Sequence, residues 1–212
     1  MSLVMEISEN LQNGRAKAVK ELVLRAVDEG VDVNDILENG LMHGMGIIGT
    51  QFKNDEIFVP EVLVAARAMN MGVAALKPYL QNSEVHTKGK ICIGTVRGDM
   101  HDIGKNLVKL MMESKGFEVI DLGVDVPVEK FVEAIGEYNC DIVACSALLT
   151  TTMGAMREVV QAIENAGLRN KVKIMIGGAP VTEAFCRQIG ADVYTPDAAS
   201  AAETAVLLLS NK

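Results

Sequence analysis

Apolar residues recur every three or four positions through the first 80 residues of the chain. The spacing is clearest in AKAVKELVLRAVDEG, VNDILENGLMHGMGIIGTQF and PEVLVAARAMNMGVAALKPYL. This period predicts amphipathic helices, which Gly14, Gly30 and Pro60 separate. Pro60 suits a first helical turn, and Asp32 or Asn34 could cap the helix before it. We expect a small bundle of four helices with a short first helix.

The pattern changes after residue 90, where short β-branched runs alternate with amphipathic segments of helical length. The runs are KICIGTV (90–96), FEVIDL (117–122), DIVACSAL (141–148), VKIMIGG (172–178) and ADVYT (191–195). This alternation predicts an α/β domain, a parallel sheet with helices on both faces. Five doubly wound strands commonly take the flavodoxin-like order 2-1-3-4-5, with a ligand crevice at the carboxyl ends of strands 1 and 3.

The segment QNSEVHTKGK, residues 81–90, is polar and without periodicity. Such a segment between two periodic regions is typical of a linker. We therefore expect two domains, a helical domain over residues 1–82 and a Rossmann-like α/β domain over residues 83–212.

Composition narrows the possible functions. The net charge of -8 and the lack of any basic run argue against a nucleic-acid partner. No run approaches the roughly 18 uninterrupted apolar residues of a bilayer span, and the N-terminus lacks the features of a signal peptide, so we expect a cytoplasmic protein with no membrane partner. The four cysteines lie far apart without C-x-x-C spacing, which favours reduced thiols over disulfides or a zinc site.

The segment RGDMHDIGKN directly follows strand 1 and opens the next helix, at the predicted crevice. It is not a Walker loop, because five residues separate Gly98 from Gly104 and Asn106 stands where Ser or Thr is needed. Asp99 and Asp102 would also repel a phosphate. A response-regulator receiver is disfavoured as well, because YTPDAAS after the last strand has no lysine.

His101 lies two residues after Asp99 in this loop. The Asp99 carboxylate could accept a hydrogen bond from one ring nitrogen of His101 and leave the other as a metal ligand or base. The alternative is that Asp99 and Asp102 cap the following helix and that His101 is a solvated loop residue.

Two further segments reach the same edge of the predicted sheet. Strand 3 runs into SALLTTTM, which supplies the hydroxyls of Ser146, Thr150, Thr151 and Thr152. Strand 4 ends in Gly177 and Gly178. Hydroxyls and a floor without side chains beside a histidine suggest a planar or bulky ligand. The alternatives are that at least one hydroxyl caps the helix from about residue 152 and that the glycines form an ordinary strand-to-helix turn.

Together, GDMHDIGKN, SALLTTT and IGG resemble the cobalamin-binding signature Asp-x-His-x-x-Gly, Ser-x-Leu and Gly-Gly, in order and on the expected strands. The segment NDEIFVPEVLVAARAMNMGVAALKPYL is similar to the helical cap of cobalamin-dependent methyl carriers. Nearly the whole chain therefore resembles the corrinoid proteins of methanogenic and acetogenic methyltransferase systems, which handle methanol, methylamines, quaternary amines or aryl methyl ethers. The same two domains form the cobalamin-binding region of methionine synthase.

The resemblance implies that His101 is the lower axial ligand to cobalt and displaces the benzimidazole of the cofactor. Asp99 would hold the second nitrogen of His101, and Thr152 would complete this relay where methionine synthase has Ser. Phe58, Met42, Met45 and Met69 are candidates for a lid over the upper face, although bundle core is the alternative for the methionines. The other implied cofactor-binding residues are Asp102, Gly104, Ser146, Leu148, Thr150, Gly177 and Gly178.

The resemblance also implies a methyl-carrier subunit rather than a complete enzyme, because the chain has no module for a substrate of its own. One substrate-specific methyltransferase would load the cobalt, a second would unload it to tetrahydrofolate or a thiol, and a reductive activase would be a further partner. Two alternatives remain. A cobalamin-binding regulator would need a basic DNA-binding region, which the acidic N-terminal bundle disfavours, and the small subunit of a cobalamin-dependent mutase does not usually have a helical lid.

Overall fold

The computed structural model describes residues 2–80 and 87–210. The chain divides into two compact units, Met1–His86 and Thr87–Lys212. The predicted boundary between residues 82 and 83 lies outside the described residues.

The first unit is helical, and several of its helix starts follow from the sequence. Asp32 Oδ1 accepts the backbone N–H groups of Asn34 and Asp35 at 2.9 and 3.1 Å, and Pro60 lies in the first turn of the last helix. The helical segment from residue 33 to residue 53 is continuous, so the unit has the predicted four helices with a short first one. Its elements are α1 (Leu3–Gln12), α2 (Ala16–Asp28), α3 (Val33–Asp35), a π-helix (Ile36–Met42), α4 (His43–Lys53) and α5 (Val59–Leu80).

Apolar side chains from every long helix fill the centre of this unit. Met45 and Met69 belong to that core, in agreement with the alternative interpretation of the methionines. Among the described helices, α5 is long and apolar enough to cross a membrane by length and composition. The core helix of a bundle passes the same test, and α5 buries a stripe of residues that includes Val62, Ala66 and Leu76.

The second unit alternates strands and helices as predicted. All of its strands are parallel, and their order is β2-β1-β3-β4-β5, which confirms the doubly wound, flavodoxin-like sheet. The elements are β1 (Lys90–Val96), α6 (Ile103–Ser114), β2 (Glu118–Val126), α7 (Val128–Tyr138), β3 (Ile142–Ser146), α8 (Met153–Asn165), β4 (Lys173–Gly177), α9 (Glu183–Ile189), β5 (Val193–Tyr194) and α10 (Ala198–Ser210).

The register of the sheet sets the ends of three strands level. Thr95 of β1 pairs with Ser146 of β3, and Ser146 pairs with Gly177 of β4. The loops that leave these strands therefore start side by side at the carboxyl edge, where the strand order reverses. Pairing of β1 with β2 becomes irregular at Gly94, just before this edge.

The four cysteines are free and buried, as expected for reduced thiols. Burial raises the pKa of the Cys145 thiol to about 12, so this thiol is held in its unreactive, protonated form. These cysteines pack as small apolar residues in the core.

Candidate functional site

Asp99 lies at the centre of the carboxyl edge of the sheet, in the loop between β1 and α6. Its side chain is fully buried. Carboxylate oxygen Oδ1 accepts the backbone N–H of His101 at 3.1 Å and faces ring nitrogen Nδ1 of the same residue at 2.9 Å. The predicted pairing of Asp99 with His101 is therefore present in the geometry.

The second carboxylate oxygen of Asp99 connects to the loop between β3 and α8. Oδ2 accepts the backbone N–H groups of Leu148 and Leu149 at 2.8 and 3.2 Å and the hydroxyl of Thr152 at 2.8 Å. Thr152 is buried and stands at the N-cap position of α8, but its side chain makes no cap hydrogen bond. The helix-capping alternative is therefore wrong for Thr152, whose hydroxyl bonds a carboxylate instead.

These contacts determine the ionisation of Asp99. Burial by itself raises the pKa of the carboxyl group, but the hydrogen bonds from Leu148, Thr152 and His101 outweigh burial and hold the pKa of Asp99 well below its ordinary value. Asp99 is therefore a carboxylate that can only accept hydrogen bonds.

The contact with Asp99 assigns the tautomer of His101. An ionised carboxylate needs a donor, so Nδ1 of His101 carries a proton, and in the neutral imidazole Nε2 then keeps its lone pair. The His101 side chain is 53% exposed, so a ligand can reach the ring. The backbone is fixed as well, because the buried Thr95 hydroxyl donates to the carbonyl of His101 at 2.8 Å. Sequence reasoning missed Thr95, although a hydroxyl near the end of strand 1 was a usable signal.

Asp125 is a second missed residue beside this loop. Its side-chain Oδ1 accepts the N–H of Gly98 at 2.7 Å, and its own N–H donates to the carbonyl of Asp99 at 2.9 Å. The sequence pattern ended strand 2 at residue 122, whereas β2 continues to Val126 and carries Asp125 to the site.

Asp102 and Lys105 form polar contacts on the far side of His101. Asp102 occupies the N-cap position of α6 without a side-chain cap, and its carboxylate accepts from the side chain of Asn106 at 3.2 Å, so the capping interpretation of Asp102 is wrong. Lys105 is buried, and its Nζ donates to Asp121 at 2.7 Å and to Asn106 at 2.8 Å. Lys105 therefore links the start of α6 to β2.

The glycines predicted to make room for a ligand differ in their surroundings. A Cβ on Gly104 would meet no atom within 4 Å, so the space beside it is open. A Cβ on Gly178 would lie 1.8 Å from the Ala147 carbonyl oxygen, and its φ of +130° also requires glycine. A Cβ on Gly177 would lie 3.2 Å from the carbonyl oxygen of Thr195.

The side chains around His101 are apolar and unusually exposed. We call Met100, Ile103, Leu148 and Leu149 the apolar rim; they are 69%, 72%, 43% and 42% exposed. Ser146 is half-buried at the end of β3, and Thr150 and Thr151 are exposed beyond the rim. Exposed leucine, isoleucine and methionine grouped around a histidine are typical of a site for a large apolar ligand.

Comparisons with known proteins identify the family. A model described as B12 binding domain matches residues 89–206, and a second model of that description matches residues 3–77. Dimethylamine corrinoid protein 1 of Methanosarcina acetivorans is 43% identical over 209 residues, which cover 97% of this chain and 98% of that protein. The chain belongs to the B12-binding corrinoid proteins.

Solved structures agree with this assignment. The corrinoid protein matches a chain of the methanol:cobalamin methyltransferase complex MtaBC from Methanosarcina barkeri with a TM-score of 0.90 and 32% identity, over 99% of this chain and 80% of that one. It matches a cobalamin-binding protein from Desulfitobacterium hafniense DCB-2 with a TM-score of 0.80 and 33% identity, over 98% of each chain. Its cofactor is cobalamin, and it is a corrinoid protein of the methyltransferase systems.

The donor set of the corrinoid protein fits this cofactor. Within residues 2–80 and 87–210, no three His, Cys, Asp or Glu side chains lie close enough to hold a metal ion themselves. His101 can supply one ligand, and a single protein ligand suits a metal that a macrocycle already holds. The open space beside Gly104 leaves room for a large cofactor, and the apolar rim can contact the hydrocarbon face of its macrocycle.

Phe58 belongs to the helical unit of the corrinoid protein. It lies just before α5 and is 68% exposed, although it is a large aromatic residue. Its backbone N–H donates to Glu61 at 3.1 Å, which fixes the chain at the start of that helix. The ring is therefore available to cover an apolar surface.

Proposed function

We propose that this chain carries a methyl group on the cobalt of cobalamin from a substrate-specific methyltransferase to a second methyltransferase. One observation carries the proposal. The buried carboxylate of Asp99 holds Nδ1 of His101, so a single ring nitrogen, Nε2, is left for a metal at an open apolar edge. This arrangement can orient a ligand to cobalt.

We further propose that cobalamin binds base-off and His-on, with Nε2 of His101 as the lower axial ligand. Gly104 leaves open space on one side of the loop, which supports a place there for the displaced nucleotide tail. Ser146 and Gly177 end β3 and β4, Leu148 and Gly178 follow them at the same edge, and all four would line that slot. Asp102 and Thr150 are exposed at this edge and would contact the cofactor.

Bound cobalamin supplies a metal centre that accepts a methyl group and gives it up. The residues of this chain contribute orientation and control of protonation. Asp99 keeps the proton on Nδ1 and makes Nε2 of His101 a better electron-pair donor to a metal. Carboxylates that are hydrogen-bonded to metal-binding histidines have this effect. The Thr152 hydroxyl and the amides of Leu148 and Leu149 keep Asp99 ionised and fixed in place.

The likeness to other systems supports the first of the proposed partners. One relative is a dimethylamine corrinoid protein, and another belongs to a methanol:cobalamin methyltransferase complex, which supports a substrate-specific methyltransferase as the first partner. The second partner would pass the methyl group to tetrahydrofolate or a thiol, and a reductive activase would restore the cofactor after oxidation. We place this exchange in the cytoplasm. The exposed Phe58 of the helical unit would cover the methyl-bearing face between encounters.

Reconstitution with cobalamin tests the axial ligand. Protein labelled with ¹⁵N-histidine is loaded and reduced to the cob(II)alamin form, and its electron paramagnetic resonance spectrum is recorded. A histidine ligand is expected to give the two-line nitrogen splitting of ¹⁵N, whereas retained benzimidazole gives the three lines of ¹⁴N. His101→Ala is expected to lose the ¹⁵N splitting.

The matched control is His43→Ala, which removes an exposed histidine of the helical unit whose Nδ1 lies 3.3 Å from the Ser8 hydroxyl. This variant is expected to keep the wild-type spectrum. The proposal fails if the wild type binds no corrinoid or if His101→Ala keeps the ¹⁵N signature. Carriage itself is tested by methyl transfer from a methylamine to a thiol, which is expected to require both methyltransferases and the loaded wild-type protein.

A further inference from the structure

Asp125 has an unusual backbone conformation for a residue in a strand. Its φ is 50°, in the left-handed region, and it lies one residue before the end of β2. Residues other than glycine are uncommon there because the conformation is strained, although aspartate tolerates it better than most. Such strain persists where surrounding contacts compensate for it.

Two hydrogen bonds of Asp125 provide that compensation, and both go to the turn that carries Asp99. The side chain accepts the N–H of Gly98 at 2.7 Å, and the backbone N–H donates to the carbonyl of Asp99 at 2.9 Å. The two bonds therefore enclose residues 98 and 99. Gly98 has a φ of +83° and no side chain to restrain it, so the turn depends on external contacts for its shape.

The position of this turn controls all the contacts of the Asp99 carboxylate. Its bonds to His101 Nδ1, the Leu148 N–H and the Thr152 hydroxyl are 2.8 to 2.9 Å long. A displacement of about 1 Å would take such bonds beyond hydrogen-bonding range. The protein must therefore place the backbone of Asp99 to a fraction of an ångström for the carboxylate to reach both loops.

We propose that Asp125 is a positioning residue that fixes the turn at Gly98 and Asp99 and, through Asp99, sets the tautomer and direction of His101. The role of His101 as cobalt ligand rests on the proposed function, but the hydrogen-bond chain from Asp125 to His101 does not. Asp125 itself would contact neither cobalamin nor cobalt. Asp125 adopts the left-handed conformation because its side chain and its backbone N–H both bond to the same turn.

Three substitutions separate the side-chain contact from the backbone strain. Asp125→Asn keeps an acceptor oxygen and tolerates the left-handed conformation, so it is expected to behave as wild type. Asp125→Gly relieves the strain but removes the acceptor for the Gly98 N–H, and Asp125→Ala removes the acceptor while keeping the strain. The matched control is Asp55→Gly, because Asp55 has a φ of 58° in the helical unit.

The first measurement uses the protein without cobalamin. Nitrogen NMR of ¹⁵N-histidine-labelled protein reports whether His101 carries its proton on Nδ1 or Nε2. Wild type, Asp125→Asn and Asp55→Gly are expected to show the Nδ1–H form. Asp125→Gly and Asp125→Ala are expected to increase the Nε2–H fraction several-fold, because Asp99 no longer holds the ring.

The second measurement uses the loaded protein. Loss of an outer contact to a metal-binding histidine typically costs 10-fold to 100-fold in affinity. We expect Asp125→Gly to weaken cobalamin binding by about 10-fold and to lower the His-on fraction, with Asp125→Asn restoring both. A purely structural role would lower the unfolding midpoint without changing the tautomer.

The outcomes separate the positioning role of Asp125 from the proposed binding of His101 to cobalt. The positioning role is refuted if Asp125→Gly keeps the wild-type tautomer of His101, whatever happens to stability or to cobalamin affinity. If the tautomer changes in Asp125→Gly but the loaded wild type has no histidine bound to cobalt, Asp125 still positions His101 and the proposed function is wrong.

Discussion

Replacement of Asp99 by asparagine tests the central hydrogen-bond network with almost no change in shape. The Asp99 carboxylate receives five hydrogen bonds, two at Oδ1 from His101 and three at Oδ2 from Leu148, Leu149 and Thr152. An asparagine has one acceptor oxygen and one donor NH₂ group, so it can serve only one of these two sets. The oxygen should face the set of three, which turns the NH₂ group toward His101.

This orientation of the asparagine changes the tautomer of His101 as well as the free energy of unfolding. The NH₂ group opposes the backbone N–H of His101, which leaves that partly buried donor unsatisfied at a cost of about 1–3 kcal/mol. The three bonds at the other oxygen lose their charge assistance, about 0.5–1 kcal/mol each, while removal of a buried charge returns about 1–2 kcal/mol. We expect a net loss of about 2–3 kcal/mol. Nδ1 of His101 can accept from the NH₂ group only if the proton moves to Nε2, the nitrogen assigned to cobalt.

Two assays check this reasoning. The chain has no tryptophan, so urea unfolding is best followed by far-ultraviolet circular dichroism. Nitrogen NMR of ¹⁵N-histidine is expected to show that the proton has moved from Nδ1 to Nε2. The control is Asp102→Asn in the same loop. The Asp102 side chain is exposed and accepts from the Asn106 side chain at 3.2 Å, so this variant should change stability by less than about 0.5 kcal/mol. A loss below about 0.5 kcal/mol in Asp99→Asn, or an unchanged tautomer, would refute the argument.

Three further predictions concern the same unit. First, because the folded pKa of Asp99 is depressed, its contribution to stability is present above the unfolded pKa of about 3.9 and is lost as the pH falls below it. Urea unfolding at pH 6 and pH 3 should show a larger loss in wild type than in Asp99→Asn, which keeps only the loss from other carboxylates such as Asp121. Second, Gly104→Leu should keep wild-type stability and bind cobalamin at least about tenfold more weakly, which calorimetric titration measures. Gly178→Ala should instead lose about 2–3 kcal/mol of unfolding free energy, because of backbone strain and the contact with Ala147, which urea unfolding measures. Third, Lys105→Met should lose about 1–2 kcal/mol of unfolding free energy. Breaking a fully buried ion pair costs about 3–5 kcal/mol, but here the side chain of Asp121 is 26% exposed and lies 3.5 Å from Lys109 Nζ. Equal stability of wild type and variant would contradict a structural role for the pair of Lys105 and Asp121.

The sequence predicted the features of the fold that depend on local pattern. The period of apolar residues located the helical unit, and the run KICIGTV coincides with β1 at both ends. The strand order followed from general rules for doubly wound sheets. The π-helix Ile36–Met42 was not predicted, because a single wide turn inside a continuous helix hardly alters the apolar spacing.

The candidate site was predictable where its partners are close in sequence. Asp99 and His101 are two residues apart, so their pairing could be inferred from spacing. Thr152 is 53 residues away from Asp99, so its contact with Asp99 was expected only from the resemblance to a known family. The amides of Leu148 and Leu149 could not be foreseen, since every residue other than proline has an N–H and only the fold directs it. Asp125 was missed because its role depends on a left-handed conformation at the end of a strand longer than its apolar pattern.

The shared carboxylate of Asp99 has a thermodynamic consequence. One oxygen serves His101, and the other serves Leu148 and Leu149, which belong to the loop proposed to line the nucleotide slot. Movement of that loop must alter the balance of bonds at Asp99, and by linkage any change at His101 must act back on the loop with the same free energy. In the proposed binding mode, occupancy of the slot and coordination by the imidazole would therefore be one coupled equilibrium rather than two independent binding events.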